Sequence, residues 1–274
     1  MNKEARFGFG ENWKAYASCI AEDRIHFAER SILAMLGEGA LAGKTFADVG
    51  CGSGLFSLAA LRLGAARVSS FDYDADSVAA SLAVRDRFAP GDPRWTIQRG
   101  SVLDEDFVAS LGVFDCVYSW GVLHHTGAMW RAVELAARMT RPGGLFFIAL
   151  YNDQGALSRF WLAVKRTYNA LPAPLRPLYV SVFFLRFWLV RSLKDLLRGR
   201  PFASLRSYRG RRGMSAWHDV VDWVGGLPFE VASPEAVEAF CRERGFSLTA
   251  SRLEGGHGCN EFVFRAGPGP QHGL

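Results

Sequence analysis

The stretch Phe46-Ala47-Asp48-Val49-Gly50-Cys51-Gly52-Ser53-Gly54-Leu55-Phe56 decides the fold of this 274-residue chain. Phe46 to Val49 reads as a buried strand, Gly50 to Gly54 as a loop, and Leu55 onward as the start of a helix. Glycines at alternate positions have no Cβ, so a ligand can come close to the loop's N–H groups. The helix N-terminus behind the loop favours negative charge. A second short apolar stretch then ends in Asp72-Tyr73-Asp74. A glycine loop after one strand and an acidic cluster after the next predict a nucleoside-bearing ligand across two strand ends.

Working outward, the pattern alternates strand and helix. Strands are expected at 45–49, 67–71, 95–98, 114–120 and 145–150, with helices at 55–63, 76–88 and 129–140. Pro142-Gly143-Gly144 separates the last of these helices from its strand. Upstream, Ile25, Ala28, Ile32 and Met35 recur at helical spacing within an amino-terminal helical segment, 1–45. The alternation breaks at residue 151. Residues 151–232 show no convincing strand: helices near 157–170 and 178–197, a proline joint, a basic run from Arg198 to Arg212, and a Trp-rich stretch to Glu230. The pattern resumes at Ser233-Pro234, a cap followed by a first-turn proline. Two more strands, 246–254 and 261–265, flank Gly255-Gly256-His257-Gly258-Cys259. The fold class is therefore α/β: a seven-stranded, mostly parallel, Rossmann-like sheet with helices on both faces. Its parts are an amino-terminal helical lid (1–45), a core (46–150 and 233–266), a helical cap inserted after the fifth strand (151–232) and a flexible tail (267–274). An insertion leaving the carboxyl edge of the sheet is placed to roof the ligand.

Composition sets the outer bounds. Hydrophobic residues make up 49% and charged residues 22% of the chain, a globular balance. The net charge of +5 suits solubility or an anionic partner and does not single out nucleic acid. Cys19, Cys51, Cys116, Cys241 and Cys259 form no CxxC pair, so neither a disulfide framework nor a metal site is expected. Free thiols and an amino terminus without a signal-peptide core point to the cytoplasm. The apolar run 182–190 is interrupted by Arg186 and reads as too short to span a bilayer. Its apolar residues lie nearly all round, which predicts burial within the cap rather than a surface-lying helix. A membrane-surface role is thus possible but not favoured.

The loop excludes two phosphate-binding readings. A P-loop needs a terminal Gly-Lys-Ser/Thr, absent here. A dinucleotide fingerprint needs glycine where Leu55 stands, and Asp48 would repel a pyrophosphate. The run Asp48-Val49-Gly50-Cys51-Gly52-Ser53-Gly54 resembles the first motif of the class I S-adenosylmethionine-dependent methyltransferases, Asp-x-Gly-x-Gly-x-Gly. Four later stretches agree in order: Asp72-Tyr73 after the second strand, Gly100-Ser101-Val102-Leu103-Asp104 after the third, Phe114 to Ser119 in the fourth, and Arg141 to Leu145 before the fifth. Leu123-His124-His125 is similar to the matching segment of ubiquinone-pathway-like, small-molecule methyltransferases. The resemblance implies S-adenosylmethionine as cofactor. It would be held by Asp48, Gly50, Cys51, Gly52, Gly54, Asp72, Tyr73, Ser101, Val102, Asp104 and Ser119. Asp72 would take the ribose hydroxyls. Ser101 stands where the family often has Asp, so Asp104 is the alternative adenine contact. Phe7, Phe9, Asn12 and Trp13 would fold over the cofactor as a lid.

Methyl transfer from a sulfonium is an in-line displacement that profits most from alignment in a dry pocket. A base is needed only where the acceptor holds its proton. His124 and His125 follow the fourth strand and are the candidate bases. Tyr151, Asn152, Trp217, His218, Asp222, His257 and Asn260 are the candidate substrate residues. The expected reaction is methylation at O or N of a small molecule. The alternatives are a lipid-like or quinone acceptor at a membrane surface, cyclisation of the cofactor itself, and a binding module without activity. Neither Ser119-Trp120-Gly121-Val122 nor any other segment carries the motif of base-modifying relatives, so nucleic acid is not the expected partner. The sequence is silent on oligomeric state.

Overall fold

The structure, a computed structural model, describes residues 8, 10–206, 216–254 and 258–269. Seven strands form one sheet: β1 (Thr45–Val49), β2 (Arg67–Asp72), β3 (Trp95–Arg99), β4 (Phe114–Trp120), β5 (Thr140–Tyr151), β6 (Phe246–Arg252) and β7 (Cys259–Ala266). Their order is β3-β2-β1-β4-β5-β7-β6. All pairs are parallel except those made by β7, which runs antiparallel between β5 and β6. The expected mostly parallel sheet is therefore present. The chain reverses direction across the sheet between β1 and β4, where ligands of such sheets bind.

Strict alternation along the central strands builds two apolar layers. Ala47, Val49, Val117, Phe146 and Ile148 point to one face, under α5 (Glu105–Leu111), α6 (Met129–Arg138) and α11 (Pro234–Glu243). Phe46, Cys116, Tyr118, Phe147 and Ala149 point to the other, under α2 (Glu22–Leu36), α3 (Leu55–Arg62) and α4 (Ala75–Phe88). Ile25, Ala28, Ile32 and Met35 are the buried stripe of α2, at the expected spacing. Helix α5 was not foreseen: its seven residues are too few for a clear period, and Asp104 announces it by accepting the Phe107 N–H at 3.0 Å. Strand β5 is longer than expected because Arg141 to Gly144 continue it.

A third apolar cluster belongs to the cap. It joins α7 (Ala156–Ala170), α8 (Arg176–Leu197) and α10 (Ala216–Gly225) around Trp161, Val164, Val180, Val220 and Val224. The short α9 (Ala203–Arg206) follows α8. Two expectations for α8 need correction. Taken with the three residues before it, the helix is long and apolar enough, by length and composition, to cross a membrane. It is also not buried all round: Val180 and Trp188 face the cap, while Leu178, Val182, Leu185 and Leu189 are exposed. One helix can offer only half its circumference to α7 and α10.

Segment 225–232 straps the cap to the core. The Glu230 N–H donates to the His124 carbonyl at 3.1 Å and the Ala232 N–H to the Tyr151 carbonyl at 3.0 Å. The Glu230 carboxylate accepts the Met129 N–H at 3.2 and 3.0 Å, capping α6 from 101 residues away. An anionic cap on a helix N-terminus adds the dipole interaction to the hydrogen bond. Glu230→Ala should therefore lower the unfolding free energy by about 1–2 kcal/mol, read as a lower urea midpoint at unchanged slope. An unaltered midpoint would show that the strap is not fastened there.

Candidate active site

Two carboxylates stand at the ends of β1 and β2. Asp48 is buried at the end of β1 and accepts the Ser57 hydroxyl at 2.5 Å. Ser57 and Ser70 hydroxyls lie 2.7 Å apart, and the Trp95 indole N–H reaches Ser70 at 2.8 Å. An indole N–H only donates, and each hydroxyl has one proton. The chain therefore runs one way: Trp95 to Ser70 to Ser57 to Asp48. Burial pushes the Asp48 carboxyl up to about 7, the Ser57 hydrogen bond opposes that rise, and the nearby Asp72 charge adds to it.

Asp72 holds the loop. Its carboxylate accepts the Gly52 N–H at 3.0 Å and the Asp74 N–H at 2.9 Å, one on each oxygen. Burial raises its pKa, and those N–H groups oppose the rise. Gly50, Gly52 and Gly54 all have left-handed backbone, with φ of +77°, +53° and +75°. A Cβ on Gly50 would lie 2.4 Å from Val122, and one on Gly52 would lie 3.1 Å from the Trp13 ring. Trp13 on α1 (Gly10–Ser18) thus covers the loop, and Asp74 fixes α1 by accepting the Gly10 N–H at 3.1 Å. Trp13, one of the residues expected to form a lid, thus packs on the loop itself. Phe7 and Phe9 lie outside the described residues, as does the side chain of Asn12.

Several expected cofactor residues have other tasks. Asp104 is exposed and committed to capping α5, which removes it as the alternative adenine contact. The Ser119 hydroxyl is buried and donates to the Val49 carbonyl at 2.9 Å, joining β4 to β1. The Cys51 thiol lies against Ser81 at 3.3 Å, and burial pushes it far above its ordinary pKa, so it is inert. Ser101 and Tyr73 stay at the strand ends, Tyr73 exposed beside Asp72, and Val102 is buried beneath them.

Across the switch point lie the histidines. His124 is wholly buried, its Nδ1 accepts the Tyr151 N–H at 3.3 Å, and its Nε2 has no hydrogen-bond partner. Burial drives its pKa well below the ordinary imidazole range. The His125 Nδ1 lies 2.6 Å from the Pro228 carbonyl and so carries the proton, leaving Nε2 as acceptor. Burial lowers the His125 pKa to about 3, and its bond to Pro228 only partly opposes this. Two neutral, weakly basic imidazoles are poor general bases near pH 7. They instead join strand β4 to Tyr151 and to the strap. The Tyr151 ring packs on His124 at 3.8 Å between centroids and meets Phe229 at 5.3 Å and Trp223 at 5.6 Å.

The other expected substrate residues divide. Asn260 is buried, donates to Asn152 at 3.0 Å and accepts the Glu254 N–H at 2.9 Å. Asn152 in turn donates to the Glu254 carbonyl at 3.1 Å. This pair ties β7 and the end of β5 to Glu254, and Asn152 also lines the small cavity beside Tyr151. Trp217 packs on Phe184, 5.5 Å between centroids, as part of the cap's own core. Asp222 pulls on the cap's buried Lys165 and favours its charged form. His257 and the side chain of His218 lie outside the described residues.

Lys165 was missed. It is wholly buried, its ammonium donates to the Trp223 carbonyl, and it lies 4.8 Å from both the Trp223 and Phe229 rings. Burial lowers its pKa to about 7. The sequence carried a signal: Trp161, Val164, Lys165 and Tyr168 share one helical face, which puts a lysine in an apolar stripe. Ser57, Ser70 and Trp95 had no such signal, because their chain exists only across four elements.

Asp48 and Asp72 have no lysine or arginine partner among the described residues. A buried and a half-buried carboxylate without a cation, beside a glycine loop, suit a ligand that carries positive charge and a diol. A sulfonium nucleoside with an ammonium group has both. The Asp48 titration gives a direct check. Its folded pKa is raised, so the native state keeps a proton that the unfolded chain sheds near pH 4, and stability falls as pH rises through about 7. Between pH 5 and 8, without cofactor, the wild type should lose roughly 2–3 kcal/mol relative to Asp48→Asn. Parallel urea curves for the two proteins at both pH values would rule this out.

Residues 47–148 match the methyltransferase domain family. Over 119 residues the chain is 38% identical to a ubiquinone biosynthesis O-methyltransferase of Methylobacterium sp. (strain 4-46), covering 43% of this chain and 45% of that protein. Over 120 residues it is 42% identical to a tRNA U34 carboxymethyltransferase of Methylococcus capsulatus, covering 43% and 36%. The chain thus spans less than half the length of these curated relatives. Its fold is similar to that of magnesium protoporphyrin IX methyltransferase from Synechocystis PCC 6803, solved with bound SAH, at a TM-score of 0.53, 13% identity and 96% and 90% coverage. The glycine loop, the acidic strand ends, the sheet order and these matches agree: residues 47–148 are similar to the methyltransferase domain family, and the fold around them is that of S-adenosylmethionine-dependent methyltransferases.

Proposed function

We propose that this protein transfers a methyl group from S-adenosylmethionine to an oxygen or nitrogen of a small-molecule acceptor by in-line displacement. The observation that carries the reading is the pair of buried Asp48 and half-buried Asp72, which stand at the glycine loop without a lysine or arginine partner among the described residues. When bound, the cofactor supplies an electrophilic methyl on a sulfonium. Asp72, with one N–H on each oxygen, keeps lone pairs for two ribose hydroxyls. Val122 packs against Gly50 and Trp13 against Gly52, so the glycines let both side chains approach the loop, Tyr73 and Ser101 flank the adenine side, and Trp13 excludes water from above.

The acceptor side is assigned to the ends of β4 and β5 under the cap. Tyr151, Gln154, Ser158, Trp161, Trp223 and Phe229 line a cavity there of about 10 Å³, room for one water. A ring-sized acceptor enters only as the Tyr151 or Phe229 ring turns aside. His125 then serves through its neutral Nε2 as a hydrogen-bond acceptor that orients a hydroxyl or amine. The relatives named above bear unlike acceptors in their names, and what they share with this chain is the donor half. Five free thiols suit the reducing cytoplasm.

Asp72→Ala should weaken S-adenosylhomocysteine binding by about 10- to 100-fold in calorimetry, with Asp72→Asn between it and the wild type. Equal affinities would remove Asp72 from the site. Incubation with S-adenosylmethionine and an acceptor library should yield S-adenosylhomocysteine only where an acceptor is consumed. Release of methylthioadenosine with no acceptor present would establish cyclisation instead. The imidazole resonances of His124 and His125 should not titrate between pH 5 and 8. A midpoint near 6.5 in either would restore it as a general base.

A further inference from the structure

Helix α8 has a face that nothing in the fold covers. Leu178, Val182, Leu185, Leu189, Leu193 and Leu196 are 70%, 60%, 62%, 67%, 55% and 60% exposed. Their spacing of three or four residues places all six on one side of the helix. At 1.5 Å per residue the stripe runs for about 27 Å. The opposite side, with Val180 and Trp188 buried and Phe183, Phe184 and Phe187 partly so, packs into the cap. Six large aliphatic side chains in one unbroken line exceed the scattered exposure normal for a soluble surface.

The charge around this stripe is one-sided. Residues 176–206 contain seven arginines and lysines and a single acid, Asp195. That acid is buried and spent on Ser204, accepting its N–H at 2.7 Å and its hydroxyl at 2.8 Å. Arg186, Arg191, Lys194, Arg198 and Arg200 are exposed. A second copy pairing through the same stripe would bring two such clusters together, a like-charge arrangement that opposes association. A helix crossing the bilayer would have to give up its aromatic packing on α7 and α10. An apolar line bordered by uncompensated positive charge fits a third occupant, the headgroup and acyl boundary of an anionic membrane.

We propose that the outer face of α8 docks this protein, lying in plane, on an anionic lipid surface. Docking brings the cap, which carries Trp223 and packs on Tyr151 at the end of β5, to the membrane. The inference does not depend on the identity of the acceptor.

The test is flotation of the full chain with phosphatidylcholine vesicles, with and without phosphatidylglycerol. Binding should require the anionic lipid and fall as salt rises. Leu185→Glu/Leu189→Glu should reduce it at least about tenfold. S-adenosylhomocysteine affinity and thermal midpoint should stay unchanged, since both side chains point away from the cap. The milder Leu185→Ser/Leu189→Ser serves if the acidic pair does not fold. Absence of wild-type binding, or equal binding by a folded variant, would overturn the proposal. A dimer that dissociates in the variant, with no vesicle binding, would assign the face to a second copy. Binding that resists alkaline carbonate would mean insertion across the bilayer rather than docking on it.

Discussion

The structure turns on two neighbouring acids, Asp48 buried and Asp72 half-buried, with no lysine or arginine partner among the described residues. Each costs desolvation energy: burial raises both pKa values, the Asp72 charge raises that of Asp48 further, and the Asp74 charge that of Asp72. The fold meets that cost with directed dipoles. Trp95 can only donate, so Ser70 and Ser57 must pass their protons on towards Asp48. Asp72 takes two backbone N–H groups, one of them from Gly52, and so shapes the loop that borders it. Four elements, β1, β2, β3 and α3, are held at one point by this arrangement. A core of purely apolar packing would be more stable there and would bind nothing charged.

The two halves of the site lean in opposite electrical directions. Around β1 and β2 the buried titratable groups are acids with raised pKa values. Around β4, β5 and the cap they are bases with lowered ones: His124, His125 and Lys165. Burial is the largest cause in every case. Each group is thereby moved towards neutrality, and the two sets respond oppositely to pH. The carboxyl of Asp48 sheds its proton and weakens the fold as pH rises. The imidazoles, whose folded pKa values are depressed, weaken it as they charge on acidification. The glycine-loop side is left wanting positive charge, and the two imidazoles on the other side are left neutral. Under the proposed reading, a displacement in which charge disperses from sulfur gains from both conditions.

Legibility in the sequence followed locality. The loop Gly50 to Gly54, the stripe Ile25-Ala28-Ile32-Met35 and the cap at Ser233-Pro234 each depend on neighbours a few residues away, and each was readable. Trp13 over Gly52 was readable as a lid only because aromatics preceding such a core have little else to cover. The mutual tie of Asn152 and Asn260 was not readable, for the opposite reason. Both sit at the ligand edge, but their amides are spent on each other and on Glu254 across 108 and 102 residues, and no local pattern records such pairing. Glu230, acting as the cap of α6 from another segment, is hidden in the same way. Helix α8 shows the limit of periodicity itself. A helix apolar all round reads as buried, yet whether both faces find partners is decided by the neighbours.

That last point bears on how the cap works. The inner face of α8 sets Phe183 and Phe187 on Trp161 of α7, and the strap sets Pro228 on His125 and Phe229 on Tyr151. The cavity beside them has room for about one water. Under the proposed reading, admission of an acceptor requires rings to move, and the rings that line the cavity rest on α7 and α10, which α8 backs. A surface that grips the outer stripe of α8 would then bear on the helix that backs both. The glycine loop needs no such adjustment, since it is pinned by Asp72, and α1 over it by Asp74. In that reading, selectivity for the acceptor belongs to the cap and affinity for the donor to the pinned loop.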